Sequence, residues 1–195
     1  FRFFSKRLKT NVEDKIKRLR DDDDLADISV ANTIDGNTAI LKRLFADVDT
    51  LTFRLVESAS AKRRRFLLVY CDTIVDSTII NESIIRPLML SSISQSGDDL
   101  VDILMKRVLM VNQAVKNNQY QEIVEAITYG DTALFVDGST DAILLNTKRF
   151  QHRAITEPDN EKNLSGPREG FTESLLLNLS LIRRKVRSNK LKMKY

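Results

Sequence analysis

Ala133-Leu134-Phe135-Val136 and Ala142-Ile143-Leu144-Leu145 are two apolar runs that flank the turn Asp137-Gly138-Ser139-Thr140. Short apolar runs on either side of a Gly-containing turn predict a β-hairpin. Polar residues predominate after Thr147, so we expect the folded body to end close to Phe150. The hairpin therefore supplies the last two strands of the predicted sheet.

A helix is predicted directly before the hairpin. Its apolar residues recur at helical spacing, and Gly130 follows where a left-handed residue ends a helix; they are Tyr120, Ile123, Val124 and Ile127. Val108-Leu109-Met110-Val111 is ambiguous, and we favour a short strand because four consecutive apolar residues suit a buried strand. With that strand, the helix is a right-handed crossover and the sheet is mixed.

Two more strands are predicted upstream, at residues 52–56 and 66–71. The second is expected to be deeply buried because its apolar residues do not alternate with polar ones. Asn37 is the predicted N-cap of a first helix, Asp76 or Ser77 caps a helix that ends near Pro87, and Asp98 and Asp99 open another. The predicted fold is thus α/β, a mixed β-sheet covered by helices.

The organisation of the chain follows from these elements. We expect a basic amphipathic and acidic arm at residues 1–36, the α/β domain at 37–150, a linker at 151–170, and a helix with a basic end at 171–195 that opens a second, incomplete subdomain. The arm is either a solvated helix or an interfacial helix on anionic lipid. Leu175, Leu176, Leu179 and Ile182 are the predicted apolar face of the last helix.

Composition narrows the class of protein. The chain has 195 residues, of which 42% are hydrophobic and 30% charged, as in a globular domain. Cys71 is the only cysteine, so a buried hydrophobe in a reducing compartment is the simplest interpretation. No window has the roughly 18–20 apolar residues of a membrane span, and no signal peptide is evident. Because the first residue is Phe1, we expect an excerpt of a longer protein.

The sequence contains no recognised catalytic or cofactor-binding motif. It lacks the dinucleotide-binding G-x-G-x-x-G motif, the phosphate-binding G-x-x-x-x-G-K-[ST] loop, the G-x-S-x-G motif of serine hydrolases and the zinc-binding H-E-x-x-H helix. His152 has no Cys or His neighbour at the spacing of metal ligands. Asp137 and Asp141 are interpreted as turn formers because they flank the hairpin turn. We therefore expect no enzyme, cofactor or metal site. The net charge of +4 is modest and the basic clusters lack interleaved aromatics, which argues against nucleic acid.

Three stretches near the C-terminal end have a distinctive pattern: Ile155-Thr156-Glu157-Pro158, Gly166-Pro167-Arg168-Glu169-Gly170-Phe171-Thr172-Glu173 and Asn178-Leu179-Ser180-Leu181-Ile182-Arg183-Arg184. Together they resemble a signature of the spore germination GerA family. The resemblance implies the N-terminal cytosolic region of the A subunit of a nutrient germinant receptor. It also implies the spore inner membrane, with this region on the core side, and B and C subunits as partners. Self-association through the A subunit and a nutrient ligand are further implications.

The signature supplies the candidate coupling residues. Prolines stiffen a joint, glycines permit close approach, and paired charges lock it by charge-assisted hydrogen bonds. The candidates are Glu157, Pro158, Gly166, Pro167, Arg168, Glu169, Phe171, Glu173, Asn178 and Arg183. Three roles are open for them: a purely structural joint, transmission of a conformational signal, or direct contact with the germinant.

The leading interpretation is a non-catalytic module for nutrient sensing, receptor assembly and signal transmission to a membrane ion channel. Two alternatives come from other classes of function. One is a small-molecule domain that itself binds the nutrient, and the other is a basic adaptor for an anionic membrane surface or for nucleic acid.

Overall fold

The computed structural model describes residues 25, 28–59, 63–93, 98–149, 171 and 173–194. Within these residues the chain forms five strands and seven helices, two of which have π-helical hydrogen bonding. They are α1 (Ile34–Leu44), β1 (Leu51–Glu57), β2 (Arg65–Cys71), the π-helical α2 (Ile79–Ile85), α3 (Arg86–Leu90), α4 (Asp98–Ile103), the π-helical α5 (Leu104–Val108), β3 (Ala114–Asn117), α6 (Tyr120–Tyr129), β4 (Thr132–Val136), β5 (Ala142–Leu145) and α7 (Leu175–Lys185).

The strands form one sheet in the order β1-β2-β4-β5-β3. All four pairings between these strands are antiparallel. Strands β3 and β4 each lie antiparallel to β5, so they run in the same direction with β5 between them. Helix α6 therefore connects two equally directed strands across one intervening strand.

Helices cover both faces of the sheet. Successive side chains of a strand point to opposite faces, and in β2 Leu67 and Val69 pack with α1 and α6 whereas Phe66 and Leu68 pack with helices α2 to α5. The central strands β2 and β4 consequently have apolar residues on both faces. This explains why their sequences do not alternate.

Most of the predicted elements are confirmed. The α/β class, strands β1 and β2, the β4–β5 hairpin and helix α6 lie where they were expected. Gly130 ends α6 with φ of 105°, and a Cβ there would lie 3.1 Å from the carbonyl oxygen of Ile74. Asp76 Oδ1 accepts hydrogen bonds from the N–H groups of Thr78 and Ile79, as expected of a cap.

Three local predictions are wrong. Residues 108–111 lie at the end of α5 and in the loop after it, and the strand comes later, at β3. β3 runs in the same direction as β4, but β5 lies between them, so the described pairings contain no parallel pair and the expectation of a mixed sheet is wrong. The cap of α1 is Thr33, whose hydroxyl accepts from Gly36 N–H, and not Asn37. The helical path also continues through Pro87, which occupies the first turn of α3, where its missing N–H is tolerated.

The core also begins earlier than Asn37. Ile28, Val30 and Ile34 are buried in the layer between α1, α6 and the sheet. The N–H of Val30 donates to Asn118 O at 2.8 Å, which ties this entry segment to the start of α6. The four-part division of the chain otherwise stays a prediction.

Asn37 instead forms a buried polar hub. Its Oδ1 accepts from Ala31 N–H at 2.8 Å and from the Tyr120 hydroxyl at 2.6 Å, and its Nδ2 donates to Ala31 O at 2.7 Å. Asn37 is 1% exposed and Tyr120 is fully buried. Burial raises the pKa of Tyr120, so its hydroxyl stays protonated and donates. The hub fixes α1 against both the entry segment and α6.

We predict that Asn37→Ala lowers the free energy of unfolding by about 2–4 kcal/mol, because three buried polar groups lose their partner together. Tyr120→Phe should cost about 1 kcal/mol, since it removes one bond and leaves the Asn37–Ala31 pair intact. Urea unfolding monitored by circular dichroism measures both. Arg43→Ala, on the exposed side of α1, is the control, and equal values for all three variants would contradict the hub.

Candidate functional site

The predicted coupling residues divide into two groups. Glu157, Pro158, Gly166, Pro167, Arg168 and Glu169 lie outside the described residues. Of the others, Phe171 and Glu173 are exposed, Asn178 is half-buried and Arg183 is fully buried. Arg183 is therefore the candidate whose surroundings the structure defines.

Helix α7 carries Arg183 and packs on α6. The predicted apolar face is only partly correct: Leu175 and Leu176 are 61% and 58% exposed, whereas Leu179 and Ile182 are half-buried. The residue of α7 that is buried is the charged Arg183. Contact with the body is therefore made by the second half of the helix, and the first turn remains open to solvent.

Arg183 binds the chain that follows it. Its Nη1 donates to Ser188 O at 3.0 Å and its Nη2 to Leu191 O at 3.2 Å, while the buried Nε has no partner among the described residues. A buried guanidinium requires acceptors, because leaving a buried charge without partners is strongly unfavourable. These two carbonyl groups hold residues 186–194, which we call the strap, in a turn across the end of α7.

The strap then reaches the turn between α1 and β1. Asn189 Nδ2 donates to Leu44 O at 3.3 Å, and Asp49 N–H donates to Met193 O at 2.9 Å. Met193 is 7% exposed and forms a parallel bridge with Val48. The strap is thus attached to the body by its backbone and by a buried apolar side chain.

Two charged contacts add to this attachment. Lys194 Nζ lies 2.8 Å from Asp47 Oδ1, and the guanidinium of Arg187 lies over the Tyr129 ring, 3.8 Å from its centroid. Lys148 Nζ also lies over that ring, at 4.7 Å, and pairs with Asp131 at 2.6 Å. Burial raises the pKa of Asp131, and Lys148 acts in the opposite direction. The strap therefore meets α6 at a ring that is in contact with two cations.

The exposed pair has a defined pH dependence. Its hydrogen bond and charge attraction lower the pKa of Asp47 from 3.8 and raise the pKa of Lys194 from 10.5. Its contribution is therefore present at neutral pH, is lost as pH falls through the lowered Asp47 value, and is lost again as pH rises through the raised Lys194 value. Both side chains are exposed, so salt weakens the pair.

Cys71 lies in the core on the sheet face toward α6. Burial raises the pKa of its thiol to about 11, and the charge of Arg183 opposes this only in part. The thiol is therefore protonated at neutral pH and unreactive. This agrees with the interpretation of Cys71 as a small buried hydrophobe.

The hairpin carboxylates have structural roles. Asp137 accepts from Ile34 N–H at 3.2 Å and pairs with Arg65 at 3.2 Å, so it joins the turn to the start of α1. Asp141 pairs with Lys116 at 3.0 Å. In the described part of the chain, no group of three or more His, Cys, Asp or Glu side chains is placed to hold a metal ion. None of the described helices has the length and apolar character needed to cross a membrane.

A shallow cleft of about 250 Å³ lies between α6 and the strap. It is lined by Leu25, Gln121, Val124, Glu125, Thr128, Arg187, Ser188 and Asn189. Typical small-molecule pockets hold roughly 300–1,000 Å³ and bury most of the ligand. The cleft falls below that range, and its features match a packing seam better than a ligand pocket.

The sequence did not reveal the strap contacts. Arg187, Asn189 and Met193 stand in a stretch that was notable only for its positive charge. One available signal was Met193, which like Leu191 is an apolar residue between two lysines. Such a residue predicts burial only when the partner surface is known, and here that surface is Val48, far away in the sequence.

Comparison with known proteins identifies the family. Residues 39–195 match the model of the Bacillus/Clostridium GerA spore germination protein family, so the chain belongs to the GerA family. This family is described by its part in spore germination and not as a class of enzyme. The match includes both α7 and the strap.

The individual relatives agree with this assignment. The chain is 27% identical over 161 residues to spore germination protein KA of Bacillus subtilis strain 168, covering 83% of this chain and 29% of that protein. It is 29% identical over 142 residues to spore germination protein GerLA of Bacillus cereus, covering 73% and 28%. The chain therefore spans less than a third of the length of these curated relatives.

A solved structure has the same fold. The N-terminal domain of the A subunit of the Bacillus megaterium spore germinant receptor GerK3 superimposes with a TM-score of 0.63 at 17% identity, covering 83% of this chain and 57% of that one. The chain thus shares its fold with a receptor N-terminal domain over 83% of its length.

We predict that Arg183→Met leaves the sheet folded but releases the strap. Methionine fills much of the same space without the two carbonyl contacts, and it also removes a buried charge. Hydrogen exchange measured by mass spectrometry should rise at residues 188–194 and stay unchanged in β2 and β4. Arg107→Met, at an exposed position of α5, is the control. Unchanged hydrogen exchange of the strap in Arg183→Met would contradict the role of Arg183 in holding the strap, which we call the clamp.

We also predict that Lys194→Met raises the pKa of Asp47 back toward 3.8, because the hydrogen bond and the charge of Lys194 that lower it are both lost. An NMR titration of the Asp47 carboxyl carbon measures the change. High salt should produce a smaller shift in the same direction in the unaltered chain. An Asp47 pKa that does not respond to the substitution would mean that the pair does not form in solution.

Proposed function

We propose that this chain is the N-terminal region of a germinant-receptor A subunit, and that it works as a non-catalytic sensing and assembly module. In this proposal the α/β body is joined by α7 and the strap to the remainder of a membrane receptor. Nutrient sensing, partnership with B and C subunits, and a position at the spore inner membrane on the core side all belong to the proposal.

One observation carries the proposal: the clamp formed by Arg183 and the strap. A buried arginine holds the strap at the end of α7, and Asn189 and Met193 of the strap bond to the turn between α1 and β1, so a displacement of the strap must disturb contacts of the body. Packed contacts of this kind have discrete arrangements and transmit movement instead of absorbing it. Membership of the GerA family and the fold of the GerK3 domain give the clamp its biological setting.

The signature residues that precede α7 are consistent with the same coupling role. Gly166, Pro167, Arg168 and Glu169 precede α7 in the chain. We infer that they position α7, and that charge-assisted bonds of Arg168 and Glu169 set the direction in which it leaves the body. Direct contact of these residues with a germinant is the alternative role.

We predict that Arg183→Met in the full-length subunit impairs nutrient-triggered germination while the receptor accumulates to its normal level. The physical reason is that a released strap no longer connects movement of the body to the rest of the receptor. Release of the spore's small-molecule contents after nutrient addition measures germination, and immunoblotting measures receptor abundance. Arg107→Met is the matched control, since it removes one positive charge from the surface of the same domain.

Normal germination with Arg183→Met, at normal receptor abundance and with a released strap, would contradict the coupling role. The nutrient-binding alternative has its own test, which is calorimetric titration of the purified chain with amino acids, sugars and nucleosides. Saturable heat that disappears when Glu125 and Arg187 are replaced by Gln would favour binding in the cleft over coupling.

A further inference from the structure

The fold brings the end of the N-terminal arm to the strap. Leu25 is the first residue that the structure describes, and its carbonyl accepts a hydrogen bond from Ile28 N–H at 3.2 Å. Its half-buried side chain packs against the core and lines the cleft together with Arg187, Ser188 and Asn189 of the strap. Two segments from opposite ends of the sequence are therefore neighbours at this cleft.

The segments that meet here have opposite charge. Residues 21–24 are four consecutive aspartates, and they directly precede Leu25. Residues 184–194 contain six basic side chains and no acidic one. Like charges in a run repel each other, and nearby opposite charges offset that repulsion. The placement of Leu25 thus sets an acidic run beside a basic segment.

The aspartates cannot lie far from the cations of the strap. An extended chain spans at most about 3.6 Å per residue, so residues 21–24 reach no further than about 14 Å from Leu25. Arg187 is exposed and lines the same cleft as Leu25, and the exposed Lys190 directly follows Asn189, which also lines it. Both cations are therefore at a distance that the acidic run can span.

We propose that residues 21–24 dock on the strap, with their carboxylates paired to Arg187, Lys190 and Lys192. We call this contact the latch. It is a second attachment of the strap, added to the clamp of Arg183, and it joins the N-terminal arm to the C-terminal segment. The latch goes beyond the proposed function, because it concerns what holds the strap in place whether or not the strap transmits movement.

The acidic run has an advantage over free anions as the occupant of this surface. Its attachment to Leu25 holds the carboxylates near the cleft at an effective concentration in the millimolar range. Headgroups of a membrane or phosphates of a nucleic acid would have to displace them. Among the described carboxylates, Asp47 pairs with Lys194, and Glu125 lines the cleft beside Arg187. The run adds four negative charges to these two.

The first test measures hydrogen exchange of the strap in the purified chain at low salt. The quadruple variant Asp21→Asn, Asp22→Asn, Asp23→Asn and Asp24→Asn should speed exchange at residues 186–194 roughly tenfold, because several exposed ion pairs together contribute about that factor. Exchange in β2 and β4 should stay unchanged. High salt should speed strap exchange in the unaltered chain and have a smaller effect on the variant, since salt screens exposed charges.

The matched control is a second quadruple variant, Asp35→Asn, Glu57→Gln, Glu82→Gln and Asp102→Asn. It removes the same number of exposed carboxylates from other parts of the body and changes the net charge equally. Strap exchange in this control should stay close to that of the unaltered chain. Circular dichroism of each variant checks that it is folded.

The second test examines the latch from the side of the strap. An NMR titration measures the pKa values of the carboxyl groups of residues 21–24. The triple variant Arg187→Gln, Lys190→Gln and Lys192→Gln should raise these pKa values, because the cations that favour the ionised carboxylates are lost. The triple variant Arg63→Gln, Lys106→Gln and Arg107→Gln removes exposed cations elsewhere and should leave the values unchanged.

Four results would overturn the latch. Strap exchange could fail to respond to loss of the aspartates, or it could respond equally in the control quadruple variant. The carboxyl pKa values could be the same with and without the strap cations. Protection of the strap could also rise with the concentration of the chain, in which case the run pairs with a second copy. The germination test of Arg183→Met is independent of all four results, so the latch and the proposed function can fail separately.

Discussion

The conformation of the C-terminal segment, α7 and the strap, depends on the buried guanidinium of Arg183. A charge in the interior requires acceptors, and here the backbone carbonyls of Ser188 and Leu191 provide them. That requirement turns the strap back toward the body, where Met193 is buried beside Val48. The clamp and the contacts of Asn189 and Met193 together explain why a stretch so rich in lysine lies against the domain.

The sheet gives this clamp a rigid support. Helices on both faces bury β4 completely and most of β2, and the Asn37–Tyr120 hub fixes α1 relative to α6. The strap contacts the ends of these same two helices, at Leu44 and at Tyr129. A close-packed interior transmits displacement, so a surface contact at the strap has a direct physical route to the core.

The sequence predicted what local patterns determine. The hairpin, the buried strand β2 and the end of α6 at Gly130 follow from periodicity and from glycine geometry. The strand predicted at residues 108–111 was wrong because four consecutive apolar residues suit the buried end of a helix as well as a strand. Arg183 was identified through a family signature, yet its burial and its partners depend on how the strap folds back. No local pattern specifies that long-range contact.

The most direct test of the coupling account is a reversible lock between strap and body. Val48 and Met193 are bridge partners, paired strands lie about 4.8 Å apart, which is within the range a disulfide spans, and Cys71 is too buried to interfere. The account predicts that spores whose receptor carries Val48→Cys with Met193→Cys respond poorly to nutrient when oxidised and recover when reduced, whereas each single variant responds normally. An oxidised, fully cross-linked receptor that germinates at the normal rate would contradict the account.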